Sequence, residues 1–299
     1  FLRIAGMAVA AGIVAPQLLT SCGNDNNKKT QEEVTKSTEK IVKNIGLQLY
    51  SLREMVDEKG IAEVLKTAAG MGYKNLETAS YGDGKVYGLA PAEFKKMVED
   101  LGMKVTSAHL GKAYSPETAD EVMAWWDLAI ETHAAMGAKY MIQPSMHVDD
   151  KSTLDYMKMY CDYFSEVGRK VKDAGMQFGY HNHAFEFKKI DDQIIFDYML
   201  DNVDKQNVIF ELDVYWIMKG GYSALDYMRK YASQIRVLHI KDEMEIGASG
   251  EIDFKPIFEL AYANDIEDWY VEVERYTNDN PVESVQQSYD FLNNASYVK

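Results

Sequence analysis

From residue 45 onward, short apolar or β-branched runs alternate with helix-like stretches. That alternation confines the chain to parallel-sheet architectures. Eight such runs occupy residues 45–50, 74–78, 104–109, 140–143, 177–180, 208–213, 235–240 and 269–273. Helical stretches separate them at 61–69, 91–101, 116–136, 154–174, 222–231 and 254–263, with a last one at 281–292. Parallel strands need a crossover, and a helix supplies it. Gly72, Gly102, Gly137 and Gly175 each follow a helical stretch and precede a strand, at spacings of 30 to 38 residues. Glycine there takes the left-handed position that ends a helix. Pro91, Pro116 and Pro281 fall at helix starts, where a missing N–H costs nothing. Eight units without a linker favour a closed (β/α)8 TIM barrel over an open sheet. The single domain expected at residues 44–299 is long enough, since such a barrel needs about 250 residues.

The residues before the barrel read differently. Residues 4–19 are apolar and uncharged, and too short for the roughly 20 residues that span a bilayer. Leu19-Thr20-Ser21-Cys22-Gly23 then matches a bacterial lipobox, so residues 1–22 are expected to be a lipoprotein signal segment with Cys22 lipidated. Phe1-Leu2-Arg3 resembles the tail of a twin-arginine export motif. Residues 23–43 are polar and free of aromatics, which suits a tether. The expected location is the bacterial cell envelope, at the periplasmic or outer-membrane face, with membrane contact only through the lipid. Cys161, the other cysteine, has no partner for an internal disulfide.

A formal charge of −15 repels nucleic-acid backbones and argues against a nucleic-acid partner. No GxxxxGK[ST] or GxGxxG loop and no GxSxG elbow occurs in the sequence, and Cys161 falls mid-helix. Nucleotide binding and Ser or Cys nucleophilic catalysis are therefore unsupported. Nothing in the sequence assigns an oligomeric state.

The chemistry concentrates where the predicted strands stop, the end at which barrel enzymes gather their catalytic groups. Four runs stand out: Tyr180-His181-Asn182-His183, Glu211-Leu212-Asp213, His239-Ile240-Lys241-Asp242 and Glu272-Val273-Glu274. Cores seldom bury such groups without partners, so the runs read as a site. Four strand ends offering His181, Asp213, His239 and Glu272 to one point would hold a divalent cation. A strand-end acid such as Asp213 is equally the ordinary cap of the next helix. Period-two alternation puts Glu211 with Asp213, His239 with Lys241, Glu272 with Glu274 and His181 with His183 on common faces. Glu186 follows just beyond His183. Two inward carboxylates need a cation or a shared proton; Glu272 is the favoured ligand, with Glu274 paired to Arg275, Lys241 or a sugar hydroxyl. Candidate catalytic groups are Glu272, His183 and Glu186 as bases and Lys241 or His109 as acid. Glu77, Glu274 and Trp216 are candidate substrate contacts, the indole as a wall for a sugar's apolar face. His133, inside a helix, and His147, in a loop, read as bland. The mixed N/O donor set suits Mn, Co or Zn better than Mg.

These runs on a barrel resemble the xylose-isomerase-like TIM-barrel superfamily, the sugar phosphate isomerase/epimerase group, from residue 44 to the C-terminus. In its tagatose-type 3-epimerases one ion is held by Glu, Asp, His and Glu from successive strand ends. The resemblance puts Asp213, His239 and Glu272 in the last three places. His181 replaces the first Glu, and the Tyr-His-x-His form is more similar to the inosose dehydratase branch. The resemblance implies a metal-dependent enzyme on a small keto-sugar that abstracts a proton α to a carbonyl through an enediolate. Reprotonation would give an isomer or epimer. Loss of a β leaving group, as from a keto-glycoside, would give a lyase or dehydratase. A non-catalytic sugar-binding lipoprotein is the remaining reading.

Overall fold

The computed structural model describes residues 43–299. The expected signal segment, Cys22 and all but the last residue of the expected tether lie outside the described residues. Lys43 donates from Nζ to the carbonyls of Leu292 and Ala295, at the end of the last helix.

Eight parallel strands close into a barrel: β1 (Gly46–Gln48), β2 (Asn75–Thr78), β3 (Lys104–His109), β4 (Tyr140–Gln143), β5 (Gln177–His181), β6 (Val208–Asp213), β7 (Ile235–Lys241) and β8 (Asp268–Glu272). Each pairs with its sequence neighbours, and β1 pairs with β8 to close the ring. Helices including Ile61–Met71, Pro91–Glu99, Ala119–Met136, Leu154–Asp173, Phe254–Ala263 and Pro281–Asn294 form the outer shell. The four punctuating glycines all take positive φ, from 73° to 112°. A side chain there would be strained, so they end their helices where the sequence places the turns.

Three departures from the expected elements have local causes. The first strand stops at Gln48 instead of residue 50, because the Gln48 side chain accepts the Tyr50 N–H at 3.0 Å and starts a 3-10 turn over Leu49–Leu52. Pro116–Thr118 is a 3-10 turn, and the α-helix begins at Ala119. Helices Arg53–Lys59, Ile195–Asn202 and Val214–Lys219 have no counterpart in the expected elements. At six to eight residues each, they fall short of the roughly 11 or more residues over which helical periodicity stands out.

Inside the barrel the contents are layered. Tyr140, Ile142, Val237 and Tyr270 form a separate apolar plug towards one end. The other end holds buried Glu77, His181, Glu211, Asp213, His239, Lys241 and Glu272. Outward-facing Leu212, Ile240 and Val271 join the large core under the helices. The bland residues stay so. His133 is fully buried, donates from Nδ1 to the Ala129 carbonyl at 2.7 Å, and is pushed down to about 4 by burial. Burial pushes the Cys161 thiol up to about 12, which leaves it inert.

Candidate metal centre and active-site cavity

Strand register assembles the site. His181 pairs across the ladder with Glu211, Asp213 with His239, and Lys241 with Glu272. Neighbouring strands lie about 4.8 Å apart, so register partners on one face must touch. Residues distant in sequence therefore meet without any loop having to place them.

His181, Asp213, His239 and Glu272 each bring one ligand atom within 4.8 Å of the others, and all four are buried. His239 Nδ1 lies 3.5 Å from Glu272 Oε2 and 3.9 Å from Asp213 Oδ2. These are spacings of ligands around an ion, too long for direct hydrogen bonds. Asp213 Oδ2, His239 Nδ1 and His181 Nδ1 are buried without a partner. Buried polar atoms are normally satisfied, so the unpaired set fits a cation.

The electrostatics agree. Burial pushes Asp213 up to about 7, against the pull of Lys241 and His239. Burial pushes His181 well below its ordinary value, helped by the neighbouring imidazoles His239 and His109, so it stays in the neutral form that ligation needs. Burial would raise Glu272, but the His239 imidazole and the Lys241 ammonium outweigh it and hold the carboxyl well below the usual range.

Asp213 reconciles two readings. Its Oδ1 accepts the N–H groups of Tyr215 at 2.9 Å and Trp216 at 2.7 Å, capping helix Val214–Lys219. Its Oδ2 is free for an ion. The helix cap and the candidate ligand use different oxygens of one carboxylate.

A second layer lies beneath. His109 Nε2 is 2.6 Å from Glu211 Oε2, and His239 Nε2 is 2.6 Å from Glu77 Oε2. Another candidate donor set, His109, His181, Glu211 and His239, includes members of this layer. Within it His109 and Glu211 are already hydrogen-bonded at 2.6 Å, which favours the outer set for an ion. Burial opposes charge on His109 and His239, yet Glu77 and Glu211 raise both. Burial pushes Glu211 up to about 7, whereas Glu77 is lowered despite burial, because two imidazoles, Ser107 and its other donors surround it.

A cavity of about 300 Å³ opens above, lined by Tyr50, Ala79, His109, Pro144, Ser145, His181, His183, Glu272 and Glu274. Burial holds His183 at about 4, so it is neutral at neutral pH. Its ring is 5.6 Å from that of half-buried Trp216. Lys241 Nζ sits 3.4 Å from Glu274 Oε2 and 3.9 Å from Glu272 Oε2. Glu274 thus pairs with Lys241, while Arg275 pairs with Glu243. A cleft of about 360 Å³ between Val148–Ser152 and Phe185–Ile195 is ringed by exposed charges such as Asp149, Asp150 and Lys188, with no buried donor set.

Two expected roles need correction. Glu77 is not at the mouth: it is fully buried, with its oxygens taken by Gln48, Ser107 and His239, so it has no face for substrate. Glu186 does not reach the cavity either. It is fully buried and accepts Tyr180 O–H at 2.6 Å and His183 N–H at 2.8 Å, bracing the loop that carries His183. Glu211, Gln48, Ser107, Asn182 and Tyr50 were given no role from the sequence. Glu211 was legible by alternation from Asp213. Asn182, which accepts the Asp213 N–H at 3.0 Å, and the neutral Gln48 and Ser107 carry no charge signal.

The xylose isomerase-like TIM barrel family profile matches residues 65–295. A sugar phosphate isomerase/epimerase from Parabacteroides distasonis is 36% identical, with a TM-score of 0.81, covering 86% of this chain and 100% of its own. An inosose dehydratase from Clostridium beijerinckii is 23% identical over 266 residues, 75% of this chain and 85% of that protein. The 3-keto-D-glucoside 4-epimerase from E. coli is 19% identical with a TM-score of 0.68, covering 85% of this chain and 100% of its own, and that likeness is one of fold. With its closed eight-strand barrel and the profile matched across most of that barrel, the chain belongs to the xylose isomerase-like TIM barrel family.

Proposed function

We propose that this chain is a divalent-cation-dependent carbohydrate enzyme that removes a proton α to a carbonyl and works through an enediolate. The observation that carries the reading is the meeting of His181, Asp213, His239 and Glu272, one ligand atom each within 4.8 Å, with His181 and Glu272 also lining a cavity near 300 Å³. These four residues would hold Mn, Co or Zn; when bound, such an ion polarises a carbonyl and neutralises the negative charge that develops on its oxygen, worth several kcal/mol. The cavity, near 300 Å³, suits a small sugar.

The chain's own groups divide the rest of the work. Glu272, held ionised, is the carboxylate best placed to accept a proton at the cavity floor. Lys241, between Glu272 and Glu274, is the donor on the same side. His109 lines the cavity and is backed by Glu211, so it can return a proton to a substrate oxygen. Neutral His183 lines the cavity and positions the sugar, with the Trp216 ring packed beside it.

After proton removal, reprotonation gives an isomer or epimer. A second outcome, β-elimination, is favoured by one feature. The resemblance to the epimerases puts neutral His181 in the place of their first metal-bound Glu, so a symmetric pair of carboxylates is not available here. That arrangement suits expelling a leaving group, and the inosose dehydratase relatives carry a name of that class. We further propose export, with Cys22 lipidated.

The test is solvent-deuterium exchange into keto-sugars and 3-keto-glycosides with the metal varied. Metal-dependent exchange at the carbon next to the carbonyl is expected, with or without aglycone release. A metal-loaded protein that catalyses no exchange across that panel and only binds sugar would leave the chain as a sugar-binding lipoprotein.

A further inference from the structure

Resting on that reading of the site, the geometry points to Glu77 as a positioning residue that fixes which nitrogen of His239 faces the cation. The His239 ring stands between two layers. Its Nδ1 looks out at Asp213 and Glu272, at 3.9 and 3.5 Å, and its Nε2 looks inward to Glu77 Oε2 at 2.6 Å. A neutral imidazole carries one N–H, and the hydrogen bond of one nitrogen decides which other nitrogen keeps a lone pair. Glu77 is a pure acceptor here, so Nε2 must donate and Nδ1 is left to ligate.

Glu77 is itself locked. Its Oε2 also accepts from Gln48 Nε2 at 2.7 Å and its Oε1 from Ser107 Oγ at 2.6 Å, and all four residues are fully buried. These neighbours come from β1, β2, β3 and β7, so four strands hold one carboxylate behind one ring. Glu211 is the competing acceptor, but it lies 3.2 Å from His239 Nε2 and spends its short bond on His109. Carboxylates behind ligating imidazoles raise their basicity, and removing one weakens metal binding by roughly 10- to 100-fold.

The experiment measures Co²⁺ affinity of purified protein by visible absorption for wild type, Glu77→Gln and Ser107→Ala. Ser107→Ala loosens the same carboxylate from its far oxygen. Glu77→Gln is expected to weaken Co²⁺ roughly 10- to 100-fold and to alter the d–d bands, while Ser107→Ala stays within about threefold. If wild type binds Co²⁺ and Glu77→Gln binds it as tightly with the same spectrum, the inference falls and the site reading survives. If wild type takes no Co²⁺ or Zn²⁺, the reading beneath it falls as well. Should Glu77→Gln fail to fold, nitrogen-15 correlation of the His239 ring in Zn²⁺-loaded wild type decides. An Nε2–H tautomer upholds the role, and ligation through Nε2 overturns it.

Discussion

At Asp213 one carboxylate answers to two demands, and the conflict between them is measurable. As a cap it needs only an acceptor oxygen, which asparagine also offers. As a ligand it needs a charge. Burial raises it to about 7, against an ordinary value near 3.8. The metal-free native state therefore holds this proton more tightly than the unfolded chain. The stabilisation is fully present below about pH 4 and is lost as pH rises through about 7. Asp213→Asn should thus melt higher than wild type at pH 8 when both are metal-free, by an amount on the order of 2–4 kcal/mol, and the gap should close near pH 4. Equal melting at pH 8 would show that Asp213 is not strained by burial. In wild type, metal affinity should fall as pH drops below 7, because protons compete for the same oxygen. The candidate ligand set could be read from residue type at strand ends, since four runs there offer His, Asp or Glu after apolar residues. The roles of Glu77 and Glu186 were not so readable, because a sequence does not say whether an inward carboxylate reaches the cavity or stops one layer below it.

At the scale of the element, the strand ends do the positioning, and the strands are short and tightly packed. Gly179, in the middle of β5, is two residues from His181. A Cβ there would come within 2.7 Å of Ile142 Cδ1 and 3.0 Å of Ile209 Cγ1, side chains of the flanking strands. Gly179→Ala should cost about 1–3 kcal/mol by chemical denaturation and displace β5, lowering metal affinity along with stability. Unchanged stability would mean that the barrel yields more easily than its packing implies. The eight strands were visible because buried parallel strands read as short apolar or β-branched runs between helical stretches. Helices Ile195–Asn202 and Val214–Lys219 were not, since about two turns give too little periodicity to stand out. Likewise the end of β1 was hidden, because a single Gln48 side-chain bond to Tyr50 turns the chain out of the sheet.

For the whole molecule, the balance is between a stable shell and a costly centre. The layer of paired acids and imidazoles and the unpaired outer set are electrostatically expensive without an ion, and binding to the native state alone shifts the folding equilibrium. Cobalt at about 100 times its dissociation constant should stabilise the protein by roughly 2.7 kcal/mol, read as a higher melting temperature, with no such rise in His239→Ala. No helix among the described residues is long and apolar enough to cross a membrane. The attachment proposed is a lipid on Cys22, and on that proposal Cys22→Ser should move the protein from the membrane to the soluble fraction of cells. Retention of that variant in the membrane would remove the lipid-anchor proposal.

One divalent cation is proposed to sit among His181, Asp213, His239 and Glu272. Elemental analysis of protein purified after growth with added Mn or Co, for wild type, Asp213→Asn and His239→Ala, each with its circular dichroism recorded, decides the matter. One equivalent of metal is expected in wild type and almost none in either folded variant. A wild-type protein without stoichiometric metal, or variants that keep a full equivalent, would refute the site.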